Sequence, residues 1–156
     1  MASAAPSDIG PSRVPTRRVA TWALISLAVG SFGIGMTEFV IMGLLPEIAH
    51  DLLPTVWASS PDDAIAQAGW LISLYALGVV VGAPTISGLV ARFPRNRVIV
   101  ALAAALTLFT VLTVIAPTFE LVALSRFGAG LPHGAFFGMG ALIAADVLGP
   151  GKRAKG

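Results

Sequence analysis

Four long apolar runs separated by short polar connections constrain this chain more than any other feature, because about 20 apolar residues in a helix are needed to cross about 30 Å of hydrocarbon. The first run, Val19 to Leu45, has 27 residues of which only Glu38 is charged. It is too long for the apolar region of a cleaved leader, and no small-residue cleavage site closes it. The second is uncharged from Trp70 to Val90. Its helix is expected to begin outside the membrane: Ser60-Pro61-Asp62-Asp63 offers a hydroxyl N-cap, a proline in the first turn, and carboxylates at the positive end of the helix dipole. The spacing predicts spans at about 19–45, 66–91, 98–116 and 121–148, hence an all-α membrane protein with four transmembrane helices. Pro84 frees a carbonyl within the second span, which neighbouring helices can satisfy.

Composition agrees. Of 156 residues, 56% are hydrophobic and 12% charged, against roughly 25% charged in soluble domains, so a water-soluble globule is excluded. The absence of cysteine removes disulfides, thiolate catalysis and thiolate metal sites. The sequence contains no metal-ligand spacing, nucleophile and base set, or phosphate loop, so neither a cofactor nor enzymatic activity is expected. Basic residues are not interleaved with aromatics on a soluble face, which argues against nucleic acid. Residues 1–18, with Pro6, Pro11 and Pro15, read as a disordered tail, and residues 149–156 as a basic loop.

The basic residues also set the orientation. Arg13, Arg17 and Arg18, then Arg92, Arg95 and Arg97, then Lys152, Arg153 and Lys155 all fall on one side of a four-span chain. Glu47, Asp51, Asp62, Asp63 and Glu120 fall on the other. Positive residues favour the cytoplasm, so both ends are expected there, in an inner (plasma) membrane.

Two charges lie well inside the spans, Glu38 and Arg126. Each would cost about 2.5 to 3.5 kcal/mol or more facing lipid at a helix centre. Glu38 precedes Pro46 by eight residues and Arg126 follows Pro117 by nine, which places both roughly 12 to 14 Å from the outer boundary. An ion pair or a shared wet cavity is expected. The structural alternative is a pair that only fixes helix register, or two side chains that snorkel separately. The functional reading is proton coupling: burial raises a carboxyl's proton affinity and a nearby guanidinium lowers it, so a cavity that alternately hydrates or separates the two can move a proton. His133, seven residues after Arg126 and on nearly the same face, is a candidate relay or substrate contact, or simply a hydrogen-bonded packing residue. Gly130, Gly134 and Gly138, with Gly78 and Gly82, have the four-residue spacing that lets membrane helices approach closely.

Several of these residues sit in longer stretches. Gly35-Met36-Thr37-Glu38-Phe39-Val40, Leu44-Leu45-Pro46-Glu47-Ile48-Ala49, the run from Gly69 to Gly78, and Leu124-Ser125-Arg126-Phe127-Gly128-Ala129-Gly130-Leu131-Pro132-His133-Gly134 resemble the major facilitator superfamily in its drug and sugar efflux branch. The likeness is strongest to arabinose-efflux-type permeases. It implies that Arg126 takes the place of an arginine implicated in proton coupling, and that the first and fourth spans line a cavity. That family is built of two six-span halves, each made of three-span inverted repeats. This chain would then supply the first repeat and the fourth span, an amino-terminal fragment whose partners are the lipid bilayer, protons, a small-molecule substrate and the remaining spans. In the loop between spans two and three, Gly88 opens the family's motif and Arg95 and Arg97 supply positive charge. Arg92 stands where the family has an acid, so only the loop's topological role carries over.

Three functions follow as expectations. The first is the amino-terminal part of a proton-coupled efflux transporter for sugars or other small organic molecules. The second is a complete four-span homodimeric multidrug/proton antiporter, and the third a membrane structural subunit that transports nothing.

Overall fold

A computed structural model describes residues 17–148. The tail over 1–18 and the basic loop over 149–156 lie outside the described residues, except that Arg17 and Arg18 already belong to the first helix. The described residues form seven helices and no strand: α1 (Arg17–Gly43), α2 (Leu45–Leu52), α3 (Pro54–Ser59), α4 (Pro61–Ala68), α5 (Trp70–Val90), α6 (Arg95–Ile115) and α7 (Phe119–Leu148). Four segments are long and apolar enough to cross a membrane, Arg18–Gly43, Pro61–Val90, Arg95–Ile115 and Phe119–Val147.

The polar interval after the first span is not an open loop. It folds into α2, α3 and α4, each with a proline in its first turn, where a missing N–H is harmless. Ala49, Leu53, Ala64 and Ala68 are buried among them, with Trp57 and Phe119 packed alongside. Ser60 caps α4, its hydroxyl oxygen accepting from the Asp63 N–H at 3.3 Å, as the Ser-Pro-Asp-Asp sequence predicts. Gly69 keeps right-handed helical angles, and its carbonyl accepts from the Ile72 and Ser73 N–H groups, so α4 leads almost without interruption into α5. The second candidate span accordingly runs from Pro61 through α4 and α5 to Val90.

α7 is the hub. It packs most extensively against α5, next against α6, and least against α1. The larger core joins Ile34 of α1, Val98, Leu102 and Leu106 of α6, and Ala135, Phe136 and Met139 of α7. Where threonines occur in α6, their hydroxyls donate to carbonyls one turn back: Thr107 to Ala103, Thr110 to Leu106 and Thr113 to Phe109. Such bonds satisfy a polar group that lipid cannot. Pro84 and Pro132 both lie inside continuous helices.

The glycines explain the α5 and α7 contact. A Cβ on Gly78 would meet the Phe127 carbonyl oxygen, one on Gly82 the Leu131 backbone, one on Gly130 the Tyr75 carbonyl oxygen, and one on Gly134 the Ala83 side chain and the Val79 carbonyl oxygen. The two backbones touch along a seam that no side chain could enter. Gly138, expected to extend the seam, has only Ser87 Oγ nearby, at 3.8 Å from where its Cβ would lie. Two further close approaches escape the four-residue spacing: Gly128 lies under the Phe109 ring, and Gly30 under Phe136.

Candidate functional site

The polar side chains inside the bundle come from α1, α5 and α7. On α5, Leu71, Tyr75, Gly78 and Gly82 are the buried residues, and this helical stripe turns Tyr75 toward α7 alongside the glycine seam. On α7, Arg126 is 2% exposed. Its guanidinium carbon lies 4.1 Å from the centre of the Tyr75 ring, a cation held against an aromatic face. No acceptor meets its Nε. At the other edge of the same ring, Tyr75 Oη is 2.6 Å from His133 Nδ1. Glu38 of α1 approaches that nitrogen too, with Oε1 at 3.8 Å. Thr37, beside Glu38 in the chain, brings its hydroxyl next to that of Tyr75.

Glu38 and Arg126 therefore share one neighbourhood but form no direct ion pair, which departs from the expectation of a level pair. α1 crosses α7 antiparallel, with Leu27 near Gly140, Gly30 pressed on Phe136 and Glu38 Oε1 3.8 Å from His133 Nδ1. Counting residues from the helix ends gives depth along each axis only, and span length fixes neither tilt nor which neighbour a side chain reaches. Tyr75 spans the gap between the arginine and the histidine.

Tyr75 is the residue that sequence reasoning missed. It is the only tyrosine in the chain, and it lies three and seven residues before Gly78 and Gly82, on the face those glycines turn to a neighbour. That spacing was a usable signal. Toward the N-terminal end of α1, α1 and α7 part to leave an open cleft of about 450 Å³, lined by Leu24, Leu27, Ser31, Phe136 and Phe137 among others. Phe137, which lines the cleft, has its ring 5.0 Å from that of His133 and so stands between the cleft and the histidine.

The expected loop residues lie at the end of the bundle where α5 connects to α6. Gly88 faces open space, Arg92 rests over the Phe93 ring at 5.4 Å, and Arg95 forms an ion pair with Asp146 near the end of α7. Arg97 forms no ion pair among the described residues. Among the described residues, no group of histidines and carboxylates is placed to hold a metal ion.

A multi-pass membrane protein with charged and hydrogen-bonding groups gathered between its helices is of the class that moves solutes across bilayers. A family profile described as the Major Facilitator Superfamily matches residues 27–156, and the chain belongs to that family of transporters. It is 45% identical over 133 residues to the inner membrane transport protein YdhP of Escherichia coli K12, covering 85% of this chain and 32% of YdhP. It is 40% identical over 129 residues to AraJ of the same strain, whose transporter name is itself provisional, covering 83% of this chain and 30% of AraJ. To YtbD of Bacillus subtilis, an uncharacterized transporter of the same family type, it is 36% identical over 132 residues, or 85% of this chain and 31% of YtbD. The chain thus spans about a third of the length of the curated relatives it matches. No solved structure matches it.

Proposed function

We propose that this chain forms the first repeat and fourth span of a proton-coupled efflux permease for sugars or other small organic molecules, in an inner membrane with both ends cytoplasmic. The observation that carries this reading is the cluster of Glu38, Tyr75, Arg126 and His133, the only ionisable groups drawn together inside an otherwise apolar bundle among the described residues. Groups so costly in hydrocarbon are kept where they work on protons, ions or substrate. The cleft between α1 and α7 comes as near as Phe137, whose ring lies against His133, so a movement of that ring would open the cluster to it. Relatives three times as long favour this reading over a complete four-span antiporter or a structural subunit.

In the mechanism, Glu38 is the exchanging carboxyl. It is partly open, with 40% of its side chain exposed, while His133 is only 12% exposed. A proton taken up at the cluster neutralises the carboxylate, and substrate exchange with the proton then follows from competition for one cavity. The test is transport by the full-length gene product in proteoliposomes with an imposed proton gradient. Proton-driven movement of substrate is expected, and Glu38→Gln should abolish the dependence on the gradient while leaving the protein folded. Gradient-driven transport in Glu38→Gln at the wild-type rate would overturn the assignment.

A further inference from the structure

The carboxylate and the guanidinium of the cluster do not touch, yet one side chain touches the partners of both. Building on the proton-coupling reading above, we propose that Tyr75 is the positioning residue that transmits the protonation state of Glu38 and His133 to Arg126.

Nδ1 of His133 has a single lone pair or a single proton to offer. It faces Tyr75 Oη at 2.6 Å and Glu38 Oε1 at 3.8 Å. With the imidazole proton on Nε2, Nδ1 accepts from the Tyr75 hydroxyl, and the carboxylate stays beyond hydrogen-bond reach. With a proton on Nδ1, the nitrogen becomes a donor and can no longer accept from Tyr75, and its nearest acceptor is Glu38. Tyr75 and Glu38 are therefore alternative partners of one atom. The Thr37 hydroxyl donates to the Ile34 carbonyl oxygen at 2.7 Å, so its own oxygen is left as an acceptor on the α1 side of the released tyrosine hydroxyl. The groups that face His133 are Glu38 from α1, Tyr75 from α5, and Arg126 and Phe137 from its own helix.

The proton balance is simple. A proton arriving from water in the cleft forms an N–H bond at Nδ1, and Tyr75 keeps its own proton and turns to Thr37. That N–H bond then breaks as an O–H bond forms on Glu38 Oε1, after which the neutral imidazole accepts from Tyr75 again.

Two features make Tyr75 able to pass this on. Its backbone cannot retreat, because the Gly130 backbone lies directly against its carbonyl oxygen, so any response is confined to the side chain. Arg126, for its part, rests on the tyrosine ring with no acceptor at Nε. A guanidinium seated on a ring face follows the ring, whereas one locked into a bidentate ion pair would resist.

The chain has only two histidines, His50 and His133, so nitrogen-15 NMR of histidine-labelled full chain in lipid nanodiscs reads the site directly, with His50→Gln assigning the signals. The expected wild-type spectrum is a neutral His133 protonated on Nε2, with Nδ1 hydrogen-bonded. Tyr75→Phe should move the Nδ1 resonance to that of an unbonded acceptor while the His50 signals, which report the fold, stay in place. Glu38→Gln should shift the pH at which Nδ1 gains its proton. In a second sample labelled at arginine, Tyr75→Leu, but not Tyr75→Phe, should remove the ring-current shift from the Arg126 Nε resonance, with Arg126→Lys assigning it. A proton on Nδ1 in neutral wild-type protein, or a His133 spectrum unchanged by Tyr75→Phe, would overturn the proposal. Absence of proton-dependent transport with these spectra intact would instead overturn the transport reading and leave the linkage through Tyr75 standing.

Discussion

Arg126 sets the terms at the residue scale. It is held inside the bundle without an ion pair, so its stabilisation falls to the Tyr75 face and to the more distant Glu38 charge. A cation over a desolvated ring is worth about 2 kcal/mol or more. Lysine would keep the charge but lose the flat surface that lies against the ring, and Arg and Lys are not equivalent at stacked sites. Arg126→Lys is accordingly expected to lower proton-coupled transport roughly tenfold, the equivalent of about 1.4 kcal/mol. Initial rates in proteoliposomes, normalised to folded protein, would check this, and a wild-type rate would show that charge alone suffices. Phe136 works differently. It closes on Gly30 and belongs to the main core, so its removal costs packing rather than chemistry.

At the scale of elements, the seam between α5 and α7 decides what is rigid. Gly78 and Gly82 lie against backbone atoms of α7, and Gly130 and Gly134 against those of α5, so a side chain at any of the four must force the helices apart. A Cβ on Gly138 would meet only Ser87 Oγ, at an ordinary contact distance of 3.8 Å. Overpacking typically costs about 1–3 kcal/mol and sometimes more. Gly82→Leu is therefore expected to destabilise the protein in detergent and lower its melting temperature, and Gly138→Ala to leave it unchanged within error. Equal effects of the two would show that the spacing, and not the contact, had been read. The glycine pattern was legible in sequence because close approach needs small residues at fixed intervals, and so were the four spans, because lipid tolerates so few charges. The α2 to α4 cap was less legible: Leu45-Pro46 and Leu53-Pro54 look like breaks until each proline is seen to occupy a first helical turn. The Glu38 and His133 approach was not legible at all, since it depends on how α1 crosses α7, and a lone hydrophobic helix carries no record of its tilt.

For the molecule as a whole, the charges sort by end. Arg92, Arg95 and Arg97 sit at the connection between α5 and α6, while Glu47, Asp51, Asp62 and Asp63 ride on the α2 to α4 cap and Glu120 on the first turn of α7. Arg95 is paired with Asp146, and among the described residues no carboxylate pairs with Arg92 or Arg97, so these two are placed for anionic headgroups. At about 1 kcal/mol per basic residue near such a surface, those two alone favour the cytoplasmic placement of this connection by about 2 kcal/mol, roughly thirtyfold. With that placement the cap would face outward, and the cleft between α1 and α7, which lies toward the N-terminal end of α1, would open inward. The chain has no cysteine, so single cysteines test this without background. Asp62→Cys in intact cells is expected to react with a membrane-impermeant maleimide, and Asn96→Cys only after the membrane is broken. The reverse pattern would invert the molecule: the cleft would then deliver protons to His133 from the outer side, and the expectation of efflux would have to give way to uptake.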